Sequence, residues 1–348
     1  MPQQVRVLLT SCGGMVVPGM TACLRAELDY HFYLVGVDAR NDAVGAYFVD
    51  TFYTVPSGTA PGYADALLEI AEREGVQVVV PLSDEESLAL SCAKQRFSDR
   101  GIAVVTSSQG ALETACNKGA MLSYLEQRGV EVPDYRVAST LSELDDAVIA
   151  LGYPDQEIIV KPTVARGGRG FWVLSDRRRG SDLAFRQRNL QMLPYAVLRS
   201  LIGDGEGLPE LVVMEYLTGI DYNVDVLCEA GTMHYCIPVE RVVPKAGPVQ
   251  VGRTVRDAKV EEVCRDISSA FGFDFNINIE LAYRDSSNLG SPKVYEINPR
   301  VSAPIAIHRP AGINLLLLGI LQALGQAIPL DRTYREVTMS RCWREVYV

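Results

Sequence analysis

The sequence predicts a protein of two parts: an α/β part at residues 1–112, built on a doubly wound parallel sheet, and an α+β part at residues 113–348. Over the first part, short apolar runs alternate with helix-length segments, which is the pattern of βαβ units. After about residue 150, strand-like runs follow one another across glycine-containing turns, which is typical of antiparallel hairpins. A length of 348 residues fits two domains.

Composition and charge exclude several classes of protein. The chain is 48% hydrophobic and 22% charged, which is ordinary for a folded globular protein. Its 33 Lys and Arg residues against 43 Asp and Glu residues give a net charge of −10, which opposes general binding to nucleic acid or anionic membranes. No apolar run reaches the roughly 18 residues of a membrane span, and the first residues lack a signal-peptide pattern. We therefore expect a cytoplasmic protein with neither nucleic acid nor a membrane as a partner.

Cysteine usage predicts no zinc site and no disulfide. The eight cysteines form no CxxC pair, and only three histidines accompany them. Cys228 and Cys236 could face each other across a hairpin, but scattered cysteines are typical of reduced thiols in a reducing compartment.

The α/β part is expected to alternate strand and helix along the chain. Strands are predicted at residues 5–9, 32–37, 76–80 and 102–105, and helices up to about residue 28, at 63–73 and at 85–100. The Gly13-Gly14 turn and Asp38 would suit a dinucleotide, but the G-x-G-x-x-G spacing is absent and Pro18 falls in the first helical turn. A tight strand-to-helix turn is favoured, with an NAD-linked oxidoreductase as an alternative.

The second part is expected to mix antiparallel strands with fewer helices. Strands are predicted at residues 157–162, 171–174, 210–215, 222–227, 232–239, 276–283 and 293–297, and helices at 112–128, 141–150, 181–201, 259–271 and 314–325.

A glycine-rich loop joins the strands at 157–162 and 171–174. Its glycines, Gly167, Gly168 and Gly170, allow either a tight hairpin turn or a close approach of the backbone to a ligand. Backbone N–H groups in such a loop can cradle phosphate oxygens, and Lys161 supplies a cation at the end of the preceding strand. The loop is therefore a candidate phosphate site.

Acidic and amide side chains recur on two strands near the end of the chain. Side-chain alternation places Asn278 and Glu280 on one face of the first strand, and Glu296 and Asn298 on one face of the second. If the strands are neighbours, the oxygens of these side chains suit Mg²⁺, with Mn²⁺ as a substitute. Surface carboxylates are the alternative, but both strands are apolar, and a buried unpaired carboxylate is costly.

A third pattern follows the strand at 210–215. The strand ends at Glu215, turns at Thr218-Gly219 and reaches Asp221. Such a turn can present backbone N–H and C=O groups to a flat base, and Glu215 and Asp221 could then bind an exocyclic amine and ribose hydroxyls. Taken by itself, the pattern indicates only a strand followed by a turn.

Together these residues resemble the ATP-grasp superfamily, in the branch of the carbamoyl-phosphate synthase large subunit and biotin carboxylase. The resemblance spans residues 5 to about 325, and its most specific stretch is 296–302 (EINPRVS), supported by Asn117-Lys118 and Lys161-Pro162. It implies a pre-grasp domain at 1–112 and an ATP-grasp domain at 113–348. Within the latter, a lid lobe is expected at about 140–215 and a metal-binding lobe at 216–348.

The resemblance also implies roles for individual residues. The ATP phosphates would be bound by Lys118, Lys161, Gly167, Gly168 and Gly170, adenine would be contacted by Glu215 and the Leu217 backbone, and the ribose by Asp221. Magnesium would be held by Glu280, Glu296 and Asn298, and Arg300 would stabilise charge during phosphoryl transfer. The chemistry implied is attack of a carboxylate on the γ-phosphate and capture of the acyl-phosphate by an amine, for which Lys161, Arg241 and Arg300 are the candidate catalytic residues.

Arginines near the metal strand are candidates for holding the carboxylate substrate, because a guanidinium matches a carboxylate bidentately. Arg241 is the first choice, against a salt bridge to Glu240 or another surface acid, with Arg253 and Arg256 in the same stretch. Two residues after the metal strand are second candidates, Arg309 for the carboxylate and His308 as a base for the amine. A structural role is the favoured alternative for His308, because a lone histidine is more often a satisfied structural group. The acids at 84–86 could attract an amino group or serve a helix N-terminus.

The function expected is an ATP- and Mg²⁺-dependent ligase that joins a small carboxylate, such as an amino acid, to an amine. The alternatives are an acyl-phosphate or carboxyl-transfer enzyme that uses bicarbonate and a catalytically silent nucleotide-binding protein. Only one grasp unit is present, so full carbamoyl-phosphate synthesis is not expected. Because relatives are often dimers, a homodimer is an open expectation.

Overall fold

In a computed structural model, the described residues are 2–165, 170–177, 192–204, 206–242, 249–288, 290–342 and 345–347. They form three sheets, here named the N-terminal, middle and C-terminal sheets. Gly167, Gly168 and most of the helix expected at 181–201 lie outside these ranges.

The N-terminal sheet is parallel, as expected, and has five strands: the four that were predicted and a short one at Thr51–Thr54, which was not. They are β1 (Gln3–Leu9), β2 (Tyr30–Asp38), β3 (Thr51–Thr54), β4 (Val78–Val80) and β5 (Ala103–Val104). The helices that accompany them are α1 (Val17–Arg25), α2 (Tyr63–Arg73) and α3 (Asp84–Ser98). The order β3-β2-β1-β4-β5 confirms a doubly wound sheet. Its order reverses between β1 and β4, and the crevice at such strand ends is where ligands bind in this type of sheet.

The single helix expected at 112–128 is wrong, because the chain breaks at Asn117. The structure has α4 (Gln109–Cys116) and α5 (Lys118–Glu126) instead. Asn117 is extended, and its side chain accepts a hydrogen bond from the Ala120 N–H at 3.0 Å. Asparagine is a strong N-cap, so this break makes Lys118 the first residue of α5.

The middle sheet has the strand order β6-β10-β7-β8-β9. Its strands are β6 (Tyr135–Ala138), β7 (Ile158–Pro162), β8 (Trp172–Leu174), β9 (Met192–Leu193) and β10 (Leu211–Glu215), and its helices are α6 (Leu141–Ala150) and α7 (Tyr195–Ile202). The antiparallel pairing of β7 with β8 confirms the expected hairpin. The helix expected at 181–201 is wrong at residues 192–194, because β9 pairs there and Pro194 precedes α7.

The C-terminal sheet is antiparallel, with the order β15-β14-β11-β12-β13-β16. Its strands are β11 (Asp221–Glu229), β12 (Thr232–Arg241), β13 (Val251–Thr254), β14 (Phe275–Ala282), β15 (Lys293–Asn298) and β16 (Thr338–Ser340). The helices are α8 (Ala258–Phe271), the one-turn α9 (His308–Ala311) and α10 (Leu315–Ala323). All eight cysteines are free, as expected, and Cys236 lies opposite Val226 rather than Cys228.

Helix α10 packs the N-terminal sheet onto the C-terminal sheet. Its residues 315–321 are buried in one apolar cluster with side chains of β1, β4, β11 and β12. Burial of one such leucine contributes roughly 1.5–3 kcal/mol, so this helix fixes the two sheets relative to each other. Within the described ranges no single helix is long and apolar enough to cross a membrane; the bent pair Ile305–Ala311 and Leu315–Ala323 passes on combined length and composition.

Replacement of Gly219 by alanine is expected to destabilise the protein. A Cβ at Gly219 would lie 2.4 Å from the Asp285 carbonyl oxygen and 2.6 Å from that of Tyr283, both in the backbone. We expect Gly219→Ala to lower the free energy of unfolding by about 1–3 kcal/mol in chemical denaturation. Gly110→Ala is the control, because nothing lies within 4 Å of its Cβ and alanine is the better helix residue. Equal stability of the two variants would contradict this packing.

Candidate active site

A cleft of about 400 Å³ lies between the middle and C-terminal sheets. Its apolar lining includes Ile159, Phe171, Met214, Leu217, Ile220 and Ala282, and its charged and amide lining includes Lys161, Glu280, Glu296, Asn298 and Arg300. Ile159 and Lys161 are two residues apart on β7, so one strand face presents both an apolar and a cationic group to the cleft.

The four acid and amide positions of β14 and β15 are paired across the two strands. Glu280 lies opposite Glu296, and Asn278 lies opposite Asn298. This pairing confirms that the two strands are neighbours, so the predicted oxygen donors Glu280, Glu296 and Asn298 lie together in the cleft lining.

Two nearly buried lysines converge on Glu296. The Lys161 Nζ lies 3.0 Å from one carboxylate oxygen, and the Lys118 Nζ lies 4.0 Å from the other. Burial alone would raise the pKa of Glu296, but the nearby ammonium groups of Lys161 and Lys118 hold it at about 2. Burial lowers the pKa of Lys161, and Glu296 opposes that shift. Glu296 is therefore anionic at neutral pH and close to both predicted phosphate-binding lysines.

Glu280 is held by Arg241 rather than by a lysine. The Arg241 Nη2 donates to the Glu280 Oε2 at 2.6 Å, and its Nε lies 3.5 Å from Asp221. Burial raises the pKa of Glu280, and Arg241 offsets part of that rise. The salt bridge to Glu240 that was the alternative for Arg241 does not form; Glu240 pairs with Arg253.

Tyr295 is a residue of this corner that sequence reasoning missed. Its hydroxyl donates to Asp221 at 2.7 Å and lies 3.3 Å from Glu280. Strict alternation would turn Tyr295 away from the face that carries Glu296. However, the pairing shifts between Glu280 and Leu281, which leaves Tyr295 as the extra residue of a β-bulge. Bulges redirect side chains in this way beside active sites.

Arg300 joins the cleft to the N-terminal sheet. Its Nη2 donates to the Asn298 Oδ1 at 3.1 Å, its Nη1 donates to the Val301 carbonyl at 3.0 Å, and its Nε lies 3.1 Å from Asp84. Asp84 is the first residue of α3. One member of the acidic cluster at 84–86 thus fixes the guanidinium predicted to stabilise phosphoryl transfer.

The glycine-rich hairpin is described only at its edges. Gly170 has a φ of +71°, and a Cβ there would lie 2.9 Å from the Pro162 ring, so both backbone conformation and space favour glycine. The Lys118 Nζ donates to the Ala165 carbonyl at 3.1 Å, which ties α5 to the start of the loop. The predicted phosphate contacts of Gly167 and Gly168 lie outside the described residues and stay predictions.

Glu215 is engaged by ion pairs. Its Oε1 lies 2.5 Å from the Lys293 Nζ, and its Oε2 accepts from the Arg284 Nε at 2.8 Å. The Asp134 N–H also donates to Oε1. The side chain therefore anchors the segment that follows β10, and Leu217 and Asp221, the other predicted nucleotide contacts, line the cleft beside it.

Four secondary candidates have other partners. His308 fits the structural alternative rather than the role of a base, because the side chain is fully buried and its Nε2 lies 2.6 Å from Asp225. The remaining three are arginines: Arg309 pairs with Glu27, Arg253 with Glu240, and Arg256 donates to the Tyr334 carbonyl.

The alternative of a dinucleotide-binding turn at Gly13 is not supported, because the acid that would bind the ribose already has a partner in the turn. The Gly13 N–H donates to the Asp38 carboxylate at 2.6 Å, so that acid closes the turn itself.

The donor set of the corner fits a shared magnesium site. No group of three or more His, Cys, Asp or Glu side chains that could hold a metal alone occurs in the described part of the chain. Mg²⁺ commonly takes only one or two protein carboxylates and completes its coordination with water and substrate phosphate. Glu280, Glu296 and the amide of Asn298 match that requirement.

Comparisons with known proteins agree with this architecture. Residues 207–342 match the family model described as ATP-grasp in the biosynthetic pathway with Ter operon, and residues 7–105 match the PylC-like N-terminal domain. Residues 207–342 are therefore similar to an ATP-grasp family. The mixed α/β class with a parallel N-terminal sheet is confirmed by the similar solved structures.

The relatives share the fold at low sequence identity. The carbamoyl phosphate synthase large chain of Mycobacterium tuberculosis is 26% identical over 239 residues, which is 66% of this chain and 19% of that protein. An ADP complex of N5-carboxyaminoimidazole ribonucleotide synthetase superposes with a TM-score of 0.70 at 15% identity, over 97% of this chain and 81% of that chain. An L-amino acid ligase from Bacillus licheniformis superposes with a TM-score of 0.63 at 14% identity, over 92% and 74%. The chain spans about a fifth of the length of the synthase.

Loss of Arg241 is expected to destabilise the fold through Glu280. Because the pair is largely buried, Arg241→Met leaves an uncompensated carboxylate, and we expect the free energy of unfolding to fall by about 2 kcal/mol or more. The double variant Arg241→Met/Glu280→Leu removes both charges and should regain much of that loss in urea denaturation. Additive losses in the double variant would contradict the pairing.

Proposed function

We propose that this protein is an ATP- and Mg²⁺-dependent ligase that activates a small carboxylate as an acyl-phosphate and joins it to an amine. The observation that carries the proposal is the meeting of Lys118, Lys161 and Arg300 with Glu280, Glu296 and Asn298 at one corner of the cleft. Cations for phosphate oxygens beside oxygen donors for a divalent metal are what phosphoryl transfer requires.

The proposed reaction has two steps. A carboxylate oxygen of the first substrate attacks the γ-phosphorus, the bond to the bridging oxygen breaks, and ADP leaves. The amine then attacks the carbonyl carbon of the acyl-phosphate, phosphate leaves with the electron pair of the C–O bond, and the ammonium proton passes to solvent. Both steps spread negative charge over phosphate oxygens, which fixed cations stabilise.

In this proposal the protein binds and orients rather than forming covalent bonds. Lys118 and Lys161 bind phosphate oxygens from two elements, α5 and β7, and the phosphate contacts of Gly167, Gly168 and Gly170 stay predictions. Asp221 holds the ribose, and the segment around Leu217 contacts adenine. Arg300, fixed by Asp84, faces the transferring group. Mg²⁺, or Mn²⁺ in its place, would be held by Glu280, Glu296 and Asn298 and would supply positive charge to the phosphates.

Arg241 is the candidate for the substrate carboxylate, although its guanidinium is already held by Glu280 and Asp221. Such contact requires a guanidinium shared between substrate and protein acids.

The domain boundaries at 112 and 215, a homodimer and a cytoplasmic location stay predictions. The amine class of acceptor is supported by the L-amino acid ligase among the structural relatives.

A bicarbonate-dependent reaction is the second candidate. It is favoured by the likeness to a biotin carboxylase domain of a 2-oxoglutarate carboxylase that was solved in complex with MgADP, ADP and bicarbonate, with a TM-score of 0.65 at 16% identity. ADP release that needs added bicarbonate would favour this candidate, and release that needs both an organic carboxylate and an amine would favour the first.

The proposal is tested by ADP release in a screen of carboxylates, amino acids included, crossed with amines and with bicarbonate. Glu296→Gln should abolish release, by at least about a hundredfold, because the metal loses a carboxylate beside the phosphates. Glu229→Gln is the control, since Glu229 is an exposed acid at the far end of β11. Nucleotide binding is measured by calorimetry. Unchanged ADP release in Glu296→Gln, or nucleotide binding without turnover under every condition, would contradict the ligase.

A further inference from the structure

A row of buried polar side chains lies behind the metal-facing corner. Each member is at most 6% exposed, and the members are Asn223, Asp225, Asn278, Asn298, Ser302 and His308. Burying polar groups is costly unless each is hydrogen-bonded, and these groups bond mainly to one another. Hydrogen bonds connect the row from His308 through Asp225 and Asn278 to the side chains that face the cleft, and Asp225 accepts from both of its neighbours in the row.

At the end of the row that lies away from the cleft, two side chains donate hydrogen bonds to Asp225 in the interior of β11. The His308 Nε2 lies 2.6 Å from Asp225 Oδ2, and the Ser302 hydroxyl donates to the same oxygen at 2.7 Å. Because a carboxylate only accepts, the histidine proton lies on Nε2. Two donors thus fix one oxygen of Asp225 and leave the other to the next residue of the row.

The second oxygen of Asp225 orients Asn278. The Asn278 Nδ2 lies 3.3 Å from Asp225 Oδ1 and 2.7 Å from Asn223 Oδ1, and both are acceptors. The amide nitrogen of Asn278 therefore faces Asp225, which turns its Oδ1 toward the metal-facing side chains. The Asn298 Nδ2 donates to that oxygen at 3.3 Å.

The orientation of Asn278 decides which atom of Asn298 faces the cleft. With its nitrogen directed at Asn278, Asn298 directs its Oδ1 toward Arg300 at 3.1 Å. A carboxamide binds a hard cation through oxygen only, so a flipped Asn298 would offer the wrong atom. The Asn223 Nδ2 also donates to the Glu280 Oε1 at 3.2 Å, which steadies one of the two carboxylates.

We propose that the Asp225–His308 pair is a positioning device that acts through Asn278 to present Asn298 and Glu280 to the metal. This inference rests on the proposed function, because it assigns a role toward the magnesium of that site. Apolar residues could fill the same space with similar or better stability, so stability alone does not account for six polar groups here. Partners that orient metal ligands typically change metal affinity by 10–100-fold when they are removed.

The first test compares Asn278→Ala with Asn276→Ala. Asn276 lies two residues earlier on the same face of β14, is equally buried, and donates to the Leu315 carbonyl away from the cleft. Free Mn²⁺ is measured by electron paramagnetic resonance during titration of the protein with the non-hydrolysable analogue AMPPNP present, and thermal unfolding is followed in parallel. We expect both variants to lose stability, but only Asn278→Ala to bind Mn²⁺ at least tenfold more weakly.

The second test addresses the far end of the row through His308. Gln can place an N–H donor near the position of the histidine Nε2, whereas Leu cannot donate. We expect His308→Leu to weaken Mn²⁺ binding at least tenfold, and His308→Gln to restore most of it. If His308→Leu fails to fold, Ser302→Ala, which removes the other donor to the same oxygen, is measured in its place and should weaken Mn²⁺ binding.

Each outcome bears on one of the two proposals. Wild-type affinity for Mn²⁺ in Asn278→Ala, or an equal loss in Asn276→Ala, would overturn the positioning role. Equal affinity of His308→Leu and His308→Gln would overturn the part assigned to His308. If the wild-type protein itself binds no Mn²⁺ with AMPPNP, the proposed function fails, and that failure is visible without any variant.

Discussion

The structure depends most on the pairing of two acids on adjacent strands with two cations from elsewhere in the chain. Glu280 and Glu296 lie opposite each other on β14 and β15, where like charges in a partly buried site destabilise the fold. Lys161 and Arg241 neutralise them. Because Lys161 belongs to the middle sheet, the same ion pair that relieves the repulsion also joins β7 to the C-terminal sheet in the lining of the cleft.

The N-terminal sheet takes part in the same corner. Asp84 at the start of α3 pairs with Arg300, and Lys118 at the start of α5 reaches Glu296. Three sheets and helix α5 thus bring charged groups to one point. A ligand with several negative oxygens and a metal ion meets those charges already in place, so little reorganisation energy is spent when charge develops.

The sequence predicted much of this arrangement because the relevant signals are local or periodic. Alternation along two strands placed Glu280 and Glu296, and glycine spacing placed the β7–β8 hairpin. The sequence patterns missed features that depend on residues distant along the chain. Tyr295 enters the site through a bulge in pairing, and Glu215 is occupied by ion pairs with Arg284 and Lys293. The five unpredicted strands, β3, β6, β9, β13 and β16, have two to four residues each, too few to show a period.

The central claim is that Glu280, Glu296 and Asn298 share one divalent metal with the phosphates of a nucleotide. The most direct measurement is the anomalous signal of Mn²⁺ in crystals grown with AMPPNP. The account predicts one or two peaks within bonding distance of these three side chains and of phosphate oxygens, with Lys161 moved from Glu296 toward the phosphates. A nucleotide bound with its phosphates elsewhere, or metal peaks remote from β14 and β15, would contradict it.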